Sequence, residues 1–448
     1  MKTSKLLLGG LLFFCGFATA QAQEKRQITL DEAIGLAVTK STEATLADTK
    51  VSTSQYEMES TKNNAYPEVK LSGQFQRLTD PTISLKIPTG NPEDGETATA
   101  TPKVDQLLLG QASVGMPLFS GFKIKNSIEV SRNLYTAETF NAKYTKEQLA
   151  MQTIVLYVNL YKAQESVELI KENLKSANQR VTDFTNMEQN GLLARNDLLK
   201  AQLQASNIEV TLEDAKKQES VINYQLVTLL KLPEGTKLEP NTSYFGNTSE
   251  SVLPGTTETA QRNDLEALKW QQKATEAKVK IAQADYYPSV SLIGGYAAVD
   301  VRNVLQVTNA INFGVGVSYD ISGIFKNGKH VKAATSRAEE TKQQLELLND
   351  KIKVEVQQAE ENYNLAIKQN KVYTQAVEQA EENYRIVKDK YDNGLVDTND
   401  LLEADVEQLQ ARLNQAFSKA NVTQRYFELK NATGTLTNNF NITQNTQN

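Results

Sequence analysis

The chain repeats one arrangement of segments in its two halves. The copies begin at the dipeptides Tyr66-Pro67 and Tyr287-Pro288, each followed by alternating apolar and polar residues. A second repeat, NGLLARNDLL from Asn190 and NGLVDTNDLL from Asn393, lies in each half between two helix-forming segments. The Ser-Gly pairs at residues 120–121 and 322–323 are predicted as turns before long helices. This self-similarity favours a duplicated unit of strands and long helices over a compact enzyme or binding domain.

The repeats divide the chain into five parts. We predict a signal peptide (1–22), a first structural repeat (23–231), a connector (232–257), a second structural repeat (258–436) and a disordered tail (437–448). In each repeat a turn, at 189–196 and at 392–398, joins the long helix to a returning helix. The connector is broken by prolines and glycines and is expected to hold a short strand around Tyr244-Phe245.

The N-terminus has the three-part pattern of a cleaved secretory signal. Lys2 and Lys5 precede an apolar run from 6 to 17, and cleavage is expected after Ala20 or Ala22. Cleavage removes Cys15, the only cysteine, so no disulfide or thiol chemistry is expected.

Charge and hydropathy narrow the choice of location and partners. The formal net charge of −6 argues against a nucleic-acid partner. No apolar run after the signal is long enough for a membrane-spanning helix. An exported chain of this kind is periplasmic, secreted, or inserted in a membrane as strands.

Four alternating segments favour the last of these choices. The predicted strands lie at about 68–78, 107–119, 289–300 and 310–320. Residues 79–106, between the first two, are expected to form a long outward loop. One face of each strand is apolar, and the other carries Gly, Ser and Gln, which suit a wet lumen. Because lipid cannot hold open sheet edges, the strands would have to close with those of other copies, and three copies give twelve strands. Two soluble hairpins over a small core are the alternative.

The long helices carry coiled-coil seams. Apolar residues recur in steps of three and four from Leu156 to Phe184 and from Ile352 to Tyr391, with Asn370 as the polar break. A helix from 123 to 188 would be roughly 100 Å long at the α-helical rise. An ordinary antiparallel bundle is the alternative to a curved helical wall.

Candidate catalytic patterns are weak in this chain. The segment 323–329 has the strand-to-helix setting of a phosphate-binding loop, but His330 stands where Ser or Thr would hold magnesium. His330, the only histidine, is expected to be a solvated residue at a helix start. Adjacent glutamates lie on heptad flanks, where solvated pairing explains them. We therefore predict no catalytic, cofactor-binding or metal site and no enzyme activity.

Three acids near the repeated turns have two interpretations. Asp197, Asp400 and Glu403 lie at the starts of the returning helices, where the helix dipole favours negative charge. Repeated around a closed oligomer, the same acids would form a ring of negative charge at the mouth of a duct.

The repeated motifs together resemble the TolC-like outer-membrane efflux family. The duplicated Tyr-Pro strand starts, the turns GLLARNDLL and GLVDTNDLL, and ELKNATGTL from Glu428 carry the resemblance over nearly all of the mature chain. It implies a homotrimer with a twelve-stranded transmembrane β-barrel and an α-helical barrel of antiparallel coiled coils. It also implies an outer-membrane location in a Gram-negative bacterium, with a periplasmic adaptor and an inner-membrane transporter as partners. By position, Tyr391 resembles an interhelical locking residue, and Asp197, Asp400 and Glu403 resemble gate acids. Where the family has an arginine, two residues after the glycine of the second turn, this chain has Val396. A gate salt bridge from that position is therefore not expected here.

The predicted fold is mainly α with membrane β, and the predicted function is passive conduction of substrates to the exterior. No cofactor is expected, and the partners are other copies, the pump components and outer-membrane lipid, without nucleic acid. The main rival is an exported periplasmic coiled-coil adaptor or structural protein. A carboxylate-based hydrolase is a third class. It would need acids from distant parts of the chain to meet in one cleft, which the long coiled-coil helices make difficult.

Overall fold

The computed structural model describes residues 25–79, 81, 104–245, 262–436 and 440. In chain order the elements are β1 (Lys25–Ile28), α1 (Leu30–Lys40), α2 (Thr42–Asn63), β2 (Glu68–Arg77), β3 (Gln106–Ser120), α3 (Lys123–Gln189), α4 (Arg195–Leu229), β4 (Lys237–Pro240), α5 (Asn263–Ala284), β5 (Ser289–Val301), β6 (Leu305–Ser318), α6 (Ile321–Asp392) and α7 (Thr398–Ala432). The predicted signal peptide, most of the predicted outward loop, the second half of the connector and nearly all of the tail lie outside the described residues.

The chain forms two compact units. The first comprises residues 1–45, 146–258 and 356–448, and the second comprises 46–145 and 259–355, within which only the described residues are considered. The long helices α3 and α6 contribute residues to both units.

The second unit contains a four-stranded antiparallel sheet in the order β2-β3-β5-β6. Its register aligns the apolar sets of all four strands, since directly opposed residues share a face. One row across the sheet is Val69, Val114, Gly294 and Phe313, and the next is Leu71, Ala112, Tyr296 and Ile311. The opposite face has rows such as Lys70, Ser113, Gly295 and Asn312. The sheet therefore has one apolar and one polar face, as the alternation predicts.

In the described part of the chain the apolar face of this sheet is open. On the apolar face Leu71 is 87% exposed and Phe313 is 92% exposed. The strand β6 begins at Leu305, upstream of the predicted start near 310, because Asn303 at φ 66° closes a tight hairpin after Val301. Outer strands β2 and β6 form the two edges of the sheet.

The turn from β3 into α3 depends on one glycine. Gly121 has φ +60°, and a Cβ there would lie 2.5 Å from the carbonyl oxygen of Ala284. The corresponding pair Ser322-Gly323 is not the turn that was predicted, because both residues lie in the first turn of α6. Asp320 caps this helix by accepting from the hydroxyl of Ser322 and from the N–H of Gly323. His330 is likewise inside α6, ten residues in, and not at a helix start.

The first unit has its main core where β1 and β4 pair in parallel beside α1 and α3. The predicted strand at Tyr244-Phe245 is wrong: the strand is Lys237–Pro240, and Thr242–Tyr244 is one turn of 3-10 helix. The pairing partner Lys25–Ile28 is too short to show a strand period. Tyr157, fully buried, donates to the carbonyl oxygen of Ile28 and accepts from the N–H of Asn241 at 2.8 Å.

The predicted seam residues of α3 and α6 in this unit are buried or half-buried. Buried seam residues include Leu160, Ile170, Ala177 and Phe184 on α3, Ala359, Tyr363 and Ala366 on α6, and Ile208, Leu212 and Ala215 on α4. The polar break is accommodated, since the amide oxygen of Asn370 accepts from the hydroxyl of Ser418 on α7 at 3.0 Å. Beyond α7, Phe440 packs its ring 5.4 Å from that of Phe427.

Candidate functional site

The two repeated turns are built in the same way. Gly191 and Gly394 end α3 and α6 with positive φ, 71° and 70°. The next N–H, of Leu192 or Leu395, bonds a carbonyl five residues back, and each glycine N–H bonds one three residues back. This is the Schellman pattern, in which glycine takes the left-handed position. The repeated NGL motif is thus a pair of helix ends, and both leucines are 73% exposed.

Asp400 is part of a capping box at the start of α7. The carboxylate of Asp397 accepts from the N–H groups of Asn399 and Asp400, at 2.7 and 3.2 Å. Asp400 reciprocates by accepting from the N–H of Asp397 at 3.3 Å. These backbone N–H groups, with a smaller contribution from the charge of Lys200, lower the pKa of Asp397 below its ordinary value of 3.8. Asp400 therefore already has a structural role.

Asp197 differs from Asp400, although the turns are repeated. In α4 the capping position is Ala194, whose methyl group cannot accept the hydrogen bonds of a capping box. Asp197 lies in the first turn and forms an ion pair with Lys200, at 3.6 Å. Because Lys200 also acts on Asp397, it is a cation shared by the starts of α4 and α7. Glu403 is exposed and, within the described ranges, makes no hydrogen bond or ion pair.

Tyr391 makes an interhelical contact. Its ring stacks against Phe184 of α3, with centroids 5.7 Å apart. Both belong to an apolar cluster that includes Leu198 of α4 and Leu401 of α7. The four helix ends of the first unit therefore meet in one small core beside the acids. The structure brings Tyr391, Asp197 and Asp400 to this region, with Glu403 one turn further along α7.

A buried ion pair beside this core is absent from the sequence predictions. Arg180 of α3 and Asp405 of α7 are 8% and 3% exposed, and their two N–O distances are 3.2 and 3.3 Å. Arg180 also donates to the hydroxyl of Tyr384 on α6, at 3.4 Å. Burial would lower the pKa of Arg180, but its bonds to Asp405 and Tyr384 raise it. The sequence does indicate that Arg180 is buried, because this residue lies between the seam residues Ala177 and Phe184.

A cleft of about 1030 Å³ lies alongside these residues in the first unit. Arg180, Phe184, Tyr384 and Tyr391 contribute to its wall, together with Val396. Val396 lies where the resemblance would require an arginine. The buried Arg180 supplies a cation to the same wall from a different helix.

The other sequence patterns remain structural in the described part of the chain. The segment 323–329 is continuous helix and cannot wrap a phosphate as a glycine loop does. Several of the heptad-flank acids have helix partners, such as Glu381 with Arg412 and Glu382 with Arg385. Among the described residues no group of acids, His or Cys is arranged to hold a metal. No described helix has the length and apolar character needed to cross a bilayer.

The fold is that of solved outer-membrane channels. VceC of Vibrio cholerae matches with a TM-score of 0.73 and 17% identity, over 90% of this chain and 96% of that one. CmeC of Campylobacter jejuni matches with a TM-score of 0.75 and 17% identity, over 91% and 86%. MtrE of Neisseria gonorrhoeae, solved in an open state, has a TM-score of 0.69 and 18% identity over 91% and 89%.

Residues 257–435 match the model of the family described as outer membrane efflux protein. The match covers the second repeat, and the fold covers both repeats. Together they confirm the resemblance to the TolC-like outer-membrane efflux family. No curated protein sequence matches the chain.

Proposed function

We propose that the chain is the outer-membrane exit duct of an efflux or type I secretion system. The family match and the fold are those of outer-membrane efflux channels, located in the outer membrane of Gram-negative bacteria and extending into the periplasm. The proposal also includes trimer formation, passive conduction, pump partners and a gate.

The observation that carries the proposal is the aligned apolar face of the four strands. Residues such as Leu71 and Phe313 are almost wholly exposed, and a soluble sheet would cover such a face. In lipid this face needs no cover, but the edges of β2 and β6 do need partners. Pairing β6 of one copy with β2 of the next satisfies both edges, and three copies close a twelve-stranded barrel.

The helices support the same assembly. On α4 an exposed apolar stripe comprises Leu199, Leu203, Val210, Val221 and Tyr224. On the first-unit part of α6 a second stripe comprises Leu365, Val372 and Ile386. Unpartnered stripes at heptad-like spacing suit packing between copies. We infer that these stripes close an α-helical barrel of antiparallel coiled coils around a wet lumen.

The proposed duct has no energy source of its own. As the family resemblance implies, an inner-membrane transporter and a periplasmic adaptor would drive the cargo. The exposed Leu192 and Leu395 at the paired helix ends offer apolar contacts to such a partner. The gate would be the region of Asp197, Tyr391, Asp400 and Glu403, with Arg180 and Asp405 holding three of its helices together.

The rival proposal, a periplasmic adaptor or structural protein, shares the coiled coils but needs a soluble sheet. The experiment compares the mature chain with and without detergent, and measures its conductance in planar bilayers. A duct forms detergent-dependent oligomers that conduct ions. A chain that stays monomeric and soluble without detergent would overturn the duct and favour the adaptor.

A further inference from the structure

The start of α6 carries a surface that conduction does not explain. Ile321 and Phe325 are 65% and 85% exposed, and the exposed Lys329 and Lys332 follow them along the helix. At 3.6 residues per turn these four positions fall within about a quarter of the helix circumference. The surface therefore changes from apolar to basic with distance from the strands.

The opposite side of α6 faces a polar cleft of about 480 Å³. Lys326 and His330 line it, as do Ser120, Ser289 and Ser318, which are paired in one row of the sheet. Ser318 shares the polar face with Asn312, because the two are an even number of residues apart. The apolar and basic surface of α6 is therefore turned toward the side of the apolar sheet face.

The start of α3 has the same composition. Phe122 is 56% exposed and meets Phe119 edge-on, with centroids 5.4 Å apart. Phe119 pairs with Val290, which belongs to the apolar sheet face. Lys123 faces the polar cleft, where it bonds Asp285 at 3.0 Å, so Lys125, two residues on, points away from that cleft.

Three lysines on the apolar side have no acidic partner among the residues that the structure describes. Within the described ranges Lys125, Lys329 and Lys332 form no ion pair, whereas further along α6 Lys342 pairs with Glu339 and Lys353 with Asp350. Exposed aromatic residues followed by unpaired cations match the order of layers that a membrane protein meets at the bilayer surface.

We propose that this collar, defined as Phe119, Phe122, Lys125, Ile321, Phe325, Lys329 and Lys332, binds the phosphate headgroups of anionic phospholipids. The inference rests on the proposed membrane insertion of the sheet. Continuity with the apolar sheet face identifies the occupant as lipid, and the unpaired lysines select anionic over zwitterionic headgroups. The aromatic and aliphatic residues contact the acyl boundary while the lysines reach the phosphates.

The experiment measures phospholipid bound to the purified full-length oligomer. Protein in detergent is mixed with phosphatidylglycerol or phosphatidylcholine at equal mole fraction, and the phosphorus that elutes with it is measured. Wild-type protein is expected to retain at least about fivefold more phosphatidylglycerol, corresponding to one lysine at an anionic surface. The variant K125Q/K329Q/K332Q should lose this preference, and the matched variant K342Q/K353Q should keep it.

Two results would overturn the collar. One is equal retention of phosphatidylglycerol by wild type and K125Q/K329Q/K332Q. The other is displacement of bound phosphatidylglycerol by inorganic phosphate, which would indicate a free-anion site. Conductance of the same samples separates the two proposals. Channels that conduct without lipid preference refute only the collar, whereas a soluble monomer refutes the duct itself.

Discussion

Arg180 and Asp405 form the side-chain contact with the clearest energetic consequence. Both are buried, so removing one partner leaves an uncompensated charge away from water. We expect Arg180→Met alone to destabilise the packing of α3 on α7 by about 3–5 kcal/mol. Denaturant unfolding of the purified protein measures this loss.

The paired variant is the control for this prediction. Arg180→Met with Asp405→Leu replaces both charges by apolar groups, and most of the stability should return. A double variant as unstable as Arg180→Met would mean that the pair does not interact as described. If the pair holds the gate helices together, Arg180→Met should also increase the open time of single channels.

The lowered pKa of Asp397 predicts how the start of α7 responds to acid. Its pKa is lowered in the folded chain, so its contribution to stability is complete above the ordinary value of 3.8 and is lost as the pH falls through the lowered pKa. We expect amide exchange at Asn399 and Asp400 to accelerate in that acidic range. Asn is also a good capping residue, so Asp397→Asn should keep the helix start while removing this pH dependence. An unchanged pH profile in Asp397→Asn would contradict the assignment.

Among the described glycines of the strands and turns, Gly121 is the one where an added Cβ meets the closest contact. An alanine there meets both the left-handed φ and the Ala284 carbonyl oxygen, so Gly121→Ala should destabilise the sheet by more than about 1–2 kcal/mol. Gly73→Ala, in β2, is the control, because a Cβ there meets nothing within 4 Å. Thermal melting in detergent compares the two. Equal melting temperatures would show that the turn can rearrange.

The elements that the sequence predicts well are those with long, regular periods. Regular spacing in the sequence predicts the α3 and α6 seams, the four alternating strands and the two NGL helix ends. An element that presents one apolar face must repeat its apolar residues at a regular spacing. The strand β4 was misplaced because a four-residue strand has too few residues for a period. The Ser322-Gly323 pair resembles a turn in the sequence, but it begins a helix because the side chain of Asp320 caps the N-terminus of α6.

The candidate site was predictable only in part. The acids Asp197 and Asp400 are visible as repeated residues after each turn, but their roles differ because Ala194 and Asp397 differ as caps. The Arg180–Asp405 pair joins residues far apart in the chain, and no local pattern reports which distant charge a buried arginine meets.

In the proposed duct, the acids near the turns should interact with cations in the lumen. We expect Asp400→Asn/Glu403→Gln to weaken block of conductance by divalent cations, because the ring loses negative charge while Asn preserves an acceptor for the cap. Planar-bilayer recordings with added Mg²⁺ measure the block. The control Glu213→Gln/Asp214→Asn removes two exposed acids that pair with lysines on α4. Equal block in wild type and the Asp400/Glu403 variant would remove the acidic ring.

Closure of the sheet between copies is the feature on which the duct depends. Edges at β2 and β6 cannot remain open in lipid, and the apolar face cannot remain exposed to water. The most direct test is the mass of the detergent-solubilised particle, by native mass spectrometry. Three chains per particle are expected, with no stable particle in detergent-free buffer. A soluble single chain with its sheet intact would contradict it.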